Sequence, residues 1–211
     1  MPNVAFRKYQ GLGNDFLVMD VPSAEFGPGM VERLCDRHFG IGADGVLLIG
    51  PPQTPGALGR MIVRNADGSE PEMCGNGLRC VAVELARRAG IAHGEIVVDT
   101  GAGPLPCRID GNMVEVRMGQ LRDEGPVQVP VLGEHHAFAR LSIGNPHAIT
   151  FAPYNEAAIE RVGPVVATHP LFAQGTNVEF ATLTDDGGID LIVWERGVGR
   201  TLACGTGACS R

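Results

Sequence analysis

A repeat within the 211 residues constrains the fold of this chain more than any other feature of its sequence. The segment Met61–Gly77 aligns without a gap with Leu191–Gly207, so that two Cys-Gly-x-Gly motifs coincide. Two further pairs match in the same order: Gly13-Asn14 with Gly144-Asn145, and Phe39–Asp44 with Phe172–Asn177. Two similar glycine-rich turns would give one such match by chance. Three ordered matches at nearly the same offset predict a duplicated domain.

The repeat predicts two domains and a junction between them. The first copy occupies residues 1–120 and the second occupies residues 137–211. Residues 121–136 contain Pro126, Pro130 and Gly133, and this composition predicts a linker. The first copy continues to about residue 119, whereas the second ends seven residues after its cysteine. We therefore expect the C-terminal part of the second domain to be missing from this chain.

Four helices are predicted, and one of them has a strong pattern. Over Gly75–Ala89 the apolar residues recur at helical spacing, and Gly90 stands where a C-cap residue is expected. Weaker signals predict a helix over Phe26–His38, one that begins after Asn155 and ends before residue 163, and one that starts at Gly205. Short strands occupy much of the rest, and Asp110-Gly111-Asn112 predicts a hairpin turn.

Composition and charge exclude several classes of function. The net charge is −7, and no more than two basic residues are adjacent, so nucleic acid and anionic membranes are not expected partners. No apolar run is long enough to span a membrane, and the N-terminus lacks a signal core, so a cytoplasmic location is expected. Lys8 is the only lysine, and a lysine on the N-terminal segment is a poor candidate for a pyridoxal phosphate Schiff base.

The paired cysteine motifs carry the chemistry. Each cysteine precedes Gly-x-Gly at the predicted start of a helix, where N–H groups and a partial positive charge would lower a thiol pKa and bind a carboxylate. Related by a pseudo-twofold axis, the two motifs would face each other and place one thiol on each face of an α-carbon. One thiolate would remove the α-proton and the opposite thiol would return a proton, which inverts a stereocentre without a cofactor. A single cysteine would return the proton to the face that it left.

Seven motifs together resemble the diaminopimelate epimerase family over nearly the whole chain. They are Gly11–Phe16, Arg64–Ser69, Cys74–Gly77, Gly144–His147, Gly175–Asn177, Glu195–Gly197 and Ala203–Ala208. The resemblance implies an α+β fold of two pseudo-symmetric domains, each a sheet or barrel wrapped around a central helix. It implies interconversion of LL- and meso-diaminopimelate, for lysine and cell-wall precursors, without cofactor or metal. Members of the family are usually homodimers.

The resemblance also assigns roles to residues of this sequence. Cys74 and Cys204 would be the acid/base pair, and His147 and Glu195 would tune the thiols. Backbone N–H groups would hold the α-carboxylate, from Gly75, Asn76, Gly205 and Thr206. The remaining assigned residues would bind the distal amino acid end: Asn14, Asn65, Asn145, Asn177, Glu195 and Arg196. Some members carry glutamine where this chain has Gly45, which would remove one polar contact.

Alternatives remain at this point. A related racemase could act on proline or glutamate, but Glu195 and Arg196 favour a substrate with a second zwitterionic end. A non-catalytic protein could use its cysteines for a structural disulfide or for zinc, although the spacing of Cys74, Cys80, Cys204 and Cys209 is not that of a zinc knuckle. Apart from Cys74 and Cys204, we expect the cysteines to be buried structural thiols: Cys35, Cys80, Cys107 and Cys209.

Overall fold

The computed structural model describes residues 5–20, 27–201 and 204–209. The chain divides into two compact units, Met1–Met118 and Gly119–Arg211. The fold is of the α+β class, as predicted. The first unit contains β1 (Arg7–Gly11), β2 (Asn14–Met19), α1 (Pro28–Cys35), β3 (Gly45–Gly50), β4 (Ala57–Asn65), α2 (Gly75–Ala89), β5 (His93–Thr100), β6 (Gly103–Asp110) and β7 (Met113–Val116). The second contains β8 (Arg122–Val131), β9 (Glu134–Ser142), β10 (Pro146–Thr150), α3 (Glu156–Ala167), β11 (Asn177–Leu183), β12 (Ile189–Glu195), β13 (Gly199–Thr201) and α4 (Gly205–Cys209).

In the first unit, a seven-stranded sheet curls around one helix. Its strands follow one another in chain order from β1 to β7, and α2 packs against every one of them. Leu78 and Val81 are fully buried on the face of α2 that meets the sheet. The helix ends at Gly90, whose φ of +69° is a left-handed conformation that glycine adopts at little cost. The predicted helix over Gly75–Ala89 and its C-cap are therefore confirmed.

The other face of this sheet is covered by α1, which packs against β3 and β4. Its buried residues Val31 and Cys35 join Leu17 and Leu48 in a small apolar cluster. The helix is shorter than the predicted Phe26–His38, of which Phe26 lies outside the described residues. It stops before Asp36, whose carboxylate accepts hydrogen bonds from two following backbone N–H groups and fixes a turn instead.

In the second unit, six strands form a sheet in the order β13-β12-β11-β10-β9-β8. The α3 helix packs on this sheet and buries Ile159, Val162 and Val166 in an apolar core with Phe138 and Phe180. Asn155 caps α3, as predicted: its side chain accepts a hydrogen bond from the N–H of Ala158 at 2.9 Å. The α4 helix contacts β11.

The prediction that the third helix ends before residue 163 is wrong. The α3 helix continues through Pro164 to Ala167. Pro164 cannot donate a backbone hydrogen bond, but Val162 and Val166, on either side of it, are buried in the core. Burial of these side chains outweighs the lost hydrogen bond, and the helix is not ended by the proline.

The two units share a four-stranded core, which confirms the repeat. In the first unit, β1 and β2 are antiparallel, β2 and β3 parallel, and β3 and β4 antiparallel. In the second unit, β9 and β10 are antiparallel, β10 and β11 parallel, and β11 and β12 antiparallel. In each unit, the two parallel strands are connected by a crossover that contains a helix, which is α1 in the first unit and α3 in the second.

The prediction of a linker over residues 121–136 is wrong. Most of this segment is β8, which forms a hairpin with β9 and buries Val129 and Val131. Pro126 and Pro130 signalled irregular structure, but β8 is the edge strand of its sheet, where the missing N–H of a proline can be tolerated. Among the described residues, no helix is both long and apolar enough to cross a membrane.

Candidate active site

Cys74 is the N-cap residue of α2. Its carbonyl oxygen accepts the first helical hydrogen bond, from Leu78 N–H at 2.8 Å, and its sulfur accepts one from Gly77 N–H at 3.4 Å. A Cβ at Gly77 would lie 2.9 Å from the side chain of Leu47, so a side chain there would force Leu47 to move. The glycine therefore lets the first turn of α2 approach β3 closely and still present its N–H to the sulfur.

Cys204 has the same arrangement in the second unit. Its carbonyl oxygen accepts from Ala208 N–H at 2.9 Å, and its sulfur accepts from Gly207 N–H at 3.3 Å. The hydroxyl oxygen of Thr206 lies 3.3 Å from the same sulfur. A Cβ at Gly207 would lie 2.7 Å from an oxygen of Glu179. The two halves of the repeat thus present a thiol in matching N-cap geometry.

The pKa of the Cys204 thiol is raised, which corrects the expectation that both motifs would lower it. Burial is the main cause, and the carboxylates of Glu195 and Glu179 add to it. The hydrogen bonds from Thr206 and Gly207 act in the opposite direction but are weaker. At neutral pH, Cys204 is therefore a thiol in this structure.

Three of the remaining cysteines are structural, as predicted. Burial raises the pKa of Cys35 and Cys80 to about 11 and that of Cys107 to about 12, which keeps them protonated and unreactive. Cys209 differs from the prediction because it is exposed at the end of α4. None of the six cysteines forms a disulfide, and among the described residues no group of three or more His, Cys, Asp or Glu side chains could hold a metal ion.

In the first unit, two predicted asparagines meet beside the cysteine motif. The Asn76 amide donates to Asn14 Oδ1 at 2.7 Å, and the Asn14 amide donates to Asp44 Oδ2 at 3.1 Å. Asp44 is held in turn by Arg37, at 2.7 Å. Asp44 was not among the predicted site residues, although it belongs to a segment that the repeat had matched. Its carboxylate fixes the amide of Asn14 so that the amide oxygen points to the first turn of α2.

Gly45, the first residue of β3, pairs with Asn65, the last residue of β4. The Asn65 amide donates to Ser69 Oγ at 3.0 Å and so closes the turn that follows β4. A Cβ at Gly45 would lie 2.7 Å from the carbonyl oxygen of Arg64. A glutamine in place of Gly45 would therefore require the backbone of β3 and β4 to separate.

In the second unit, the predicted residues form a buried chain of polar groups. The Asn145 amide donates to Thr206 Oγ1 at 3.2 Å, which matches the contact between Asn14 and Asn76. Asn145 Oδ1 lies 3.1 Å from His147 Nε2, and His147 Nδ1 lies 2.6 Å from Glu179 Oε1. Both His147 and Glu179 are fully buried. Sequence reasoning missed Glu179, although a glutamate among the apolar residues of a predicted strand was a signal that could have found it.

Three further predicted residues lie around the ends of β11 and β12. The Asn177 amide donates to the carbonyl of Pro146 at 3.2 Å, and its oxygen accepts from Arg196 N–H at 2.9 Å. The Arg196 guanidinium donates to the carbonyl of Gln174 at 2.9 Å. Glu195 accepts from the hydroxyl of Thr201 at 2.6 Å. The structure therefore brings Asn177 and Arg196 together, and Glu195 is the residue before Arg196.

Comparison with known proteins identifies the family. The family model described as diaminopimelate epimerase matches residues 6–123 and 140–210, most of both units. The chain belongs to the diaminopimelate epimerase family. The resemblance predicted from the motifs is confirmed, and the epimerase is an isomerase.

Relatives and solved structures agree with this assignment. A diaminopimelate epimerase of Carboxydothermus hydrogenoformans is 41% identical over 96% of this chain and 80% of that protein. One of Desulforudis audaxviator is 43% identical over 97% of this chain and 81% of that protein. Two solved structures share the fold of the epimerase at low identity. They are a hydroxyproline epimerase from Agrobacterium vitis (TM-score 0.75, 16% identity, 97% of this chain and 74% of that chain) and a probable proline racemase from Agrobacterium radiobacter (TM-score 0.71, 17% identity, the same coverage).

Proposed function

We propose that this epimerase interconverts LL- and meso-diaminopimelate by proton transfer at one α-carbon, with Cys74 and Cys204 as the two acid/base groups. The observation that carries the proposal is the matching N-cap geometry of the two thiols, one in each half of the repeat. Inversion requires one group to remove the α-proton and another to deliver a proton to the opposite face. A duplicated domain with one thiol in each copy supplies such a pair, and it needs neither cofactor nor metal.

The α-carboxylate binds, in this proposal, to backbone N–H groups next to the cysteines. The groups of Gly75 and Asn76 lie in the first turn of α2, where a helix has no acceptors of its own for its N–H groups. Those of Gly205 and Thr206 occupy the same places after Cys204. Hydrogen bonds to the carboxylate stabilise the negative charge that develops when the α-proton leaves.

The distal end of diaminopimelate is a second amino acid group, and charged residues can recognise both of its charges. Arg196 is suited to its carboxylate because a guanidinium can donate two parallel hydrogen bonds. Glu195 is suited to its ammonium group. Asn65 and Asn177 add amide donors and acceptors, while Asn14 and Asn145 orient the side chains that follow the cysteines. Proline has no such second end and would leave these groups without a ligand.

In this proposal each thiol has one role in a given direction of the reaction. One is a thiolate that removes the α-proton, and the other is protonated and delivers a proton to the opposite face. In the reverse direction the two roles exchange.

We further propose that the epimerase works in the cytoplasm as a homodimer, as the family resemblance implies. Size-exclusion chromatography with light scattering tests the oligomeric state.

A substrate comparison tests the proposal directly. Purified protein under reducing conditions is incubated separately with LL-diaminopimelate, L-proline and L-glutamate, and the stereoisomers are separated by chiral chromatography. We expect conversion of LL- to meso-diaminopimelate and no racemisation of the other two. Racemisation of proline or glutamate without conversion of diaminopimelate would overturn the substrate assignment.

A further inference from the structure

Glu179, on β11, is a buried carboxyl group to which the family resemblance gives no role. Its Oε1 atom lies 2.6 Å from His147 Nδ1, and the same carboxyl packs directly against Gly207 in the motif of Cys204. Among residues 5–20, 27–201 and 204–209, its Oε2 atom has no hydrogen-bond partner. Burying a carboxyl group at such a place is costly, so its presence calls for a function.

A continuous series of short contacts leads from Glu179 to the sulfur of Cys204. His147 Nε2 is 3.1 Å from Asn145 Oδ1, and the Asn145 amide donates to Thr206 Oγ1 at 3.2 Å. Thr206 Oγ1 is 3.3 Å from Cys204 Sγ. Every side chain in the series except that of Asn145 is at least nine-tenths buried, so little water competes with these bonds.

The first unit shows that the fold does not require this polar pair. In the first unit, Phe16 occupies the position that His147 occupies in the second. Phe16 pairs with the first residue of β3, as His147 pairs with the first residue of β11, and its side chain is buried. Leu47 packs against the second glycine of its cysteine motif as Glu179 does in the second unit. Replacing a buried ionic pair by apolar side chains is often neutral or stabilising. The His147–Glu179 pair therefore serves something other than packing.

We propose that Glu179 is a positioning residue that, through His147, fixes the hydrogen bond received by the sulfur of Cys204. Glu179 bonds to Nδ1 and holds the ring in place. Because Asn145 Oδ1 can only accept, Nε2 is the ring nitrogen that carries a proton and donates to it. This fixes the orientation of the Asn145 amide, whose NH₂ group then donates to Thr206 Oγ1. The hydroxyl proton of Thr206 is left to point at Cys204, where it stabilises the thiolate.

The charges around Cys204 make this control necessary. Among the described residues, the carboxylates that raise the thiol pKa are Glu195 on β12 and Glu179 itself on β11. Burial raises the pKa of the Glu179 carboxyl itself, and the Thr206 hydroxyl lowers the pKa of the thiol directly. Without the hydrogen bond from His147 Nε2, the amide of Asn145 can adopt either orientation, and the hydroxyl is no longer held toward the sulfur.

The inference rests on the proposed function, and its first test is Glu179→Gln, which keeps the size of the side chain and removes its charge. We expect kcat for diaminopimelate to fall about 10–100-fold with little change in KM, as when an outer partner that orients a histidine is lost. Loss of the Glu179 charge alone would lower the pKa of the Cys204 thiol, whereas loss of the hydrogen bond from Thr206 raises it. We expect the second effect to dominate, so that the pH at which Cys204 is half-alkylated by iodoacetamide, followed by peptide mass spectrometry, rises by about one unit. A fall would be the direct effect of the charge and would overturn the inference. Cys74 is the internal reference and should be unchanged. Glu134→Gln is the matched control, because Glu134 is an exposed glutamate 3.9 Å from His136 in the same unit.

The double variant His147→Phe/Glu179→Leu copies the first unit and separates positioning from folding. We expect it to melt no lower than the wild type, yet to show the same shift in the Cys204 alkylation profile. A wild-type kcat and an unshifted Cys204 profile in both variants would overturn the inference. So would a loss of kcat that comes with a lower melting temperature and an equal change at Cys74, since that is a structural effect. If the wild type does not convert diaminopimelate, the proposed function fails, while the alkylation profiles still report on the coupling.

Discussion

The proposed mechanism depends on two cysteines, and each should be indispensable. Cys74→Ala and Cys204→Ala each remove one of the two groups that inversion requires, so we expect kcat/KM to fall by at least about 10²–10⁴-fold. Each variant should keep the circular dichroism spectrum of the wild type, because only a sulfur at an N-cap is lost. Cys80→Ala is the control, since Cys80 is buried in α2 and unreactive. Full epimerase activity in either of the first two variants would contradict the two-thiol mechanism.

Arg196 should matter for binding more than for folding. We expect Arg196→Lys to raise KM for diaminopimelate because lysine offers a point charge where arginine can form two parallel bonds to the distal carboxylate. Arg200→Lys is the matched control, since Arg200 forms an exposed ion pair with Glu160 at 3.1 Å. Steady-state kinetics of both variants provide the measurement. An unchanged KM in Arg196→Lys would remove Arg196 from the substrate site.

At this scale, comparison of the two copies predicts the repeated candidates. Cys74 and Cys204 are candidates because their motifs occur twice, and Asn14 and Asn145 because each follows a matched glycine. Glu179 has no counterpart, since the first unit has Leu47 at that place, and so no comparison between the copies could reveal it. The raised pKa of Cys204 was also beyond the sequence, because it depends on burial and on carboxylates brought close by β11 and β12.

At the scale of elements, the buried carboxyl of Glu84 joins α2 to the sheet and to its own helix. It accepts a hydrogen bond from the Tyr9 hydroxyl on β1 at 2.6 Å and bonds to Arg87 and Arg88, which lie one turn further along α2. The bond from Arg87 is the main favourable interaction that lowers the pKa of Glu84 to about 2, against the opposing effect of burial. A carboxyl group with a lowered pKa stabilises the fold above pH 4.5, and this contribution is lost as the pH falls toward 2.

Glu84→Gln should therefore lower stability in a pH-dependent way. We expect a loss of about 1–3 kcal/mol at pH 7, which shrinks as the pH falls from 5 to 3 because the carboxyl of the unfolded wild type takes up a proton in this range while that of the folded protein stays ionised. Urea denaturation at several pH values measures this. Glu115→Gln, at an exposed strand position, should cost less than about 0.5 kcal/mol at every pH. A loss in Glu84→Gln that stays constant across this range would contradict the assignment.

The elements show where sequence patterns are sufficient and where they are not. The α2 helix was predicted to the residue because apolar spacing and a terminal glycine agree with each other. The β8 strand was missed because Pro126 and Pro130 signal irregular structure unless the strand is known to lie at the edge of its sheet. Position within a sheet is a tertiary property that local patterns do not contain.

At the scale of the whole molecule, activity should depend on reductant. The proposed mechanism requires both thiols to reach the same carbon, and thiols brought that close can be joined by oxidation; a disulfide between Cys74 and Cys204 would remove both proposed acid/base groups. We expect an air-exposed sample to lose activity and two of its six thiols, and to recover both with dithiothreitol. Unchanged activity with six titratable thiols after air exposure would contradict this expectation.

The central claim, that a different thiol serves each face of the α-carbon, is tested most directly by proton exchange during a single conversion. LL-diaminopimelate is incubated with the epimerase in D₂O under reducing conditions, and both stereoisomers are analysed by mass spectrometry at low conversion. Because the delivering thiol exchanges its proton with solvent before it reacts, we predict that the meso product carries deuterium while the remaining LL substrate does not. A product that keeps the hydrogen of the substrate, or deuterium that appears in the LL substrate before any product forms, would show that one group serves both faces and would contradict the account.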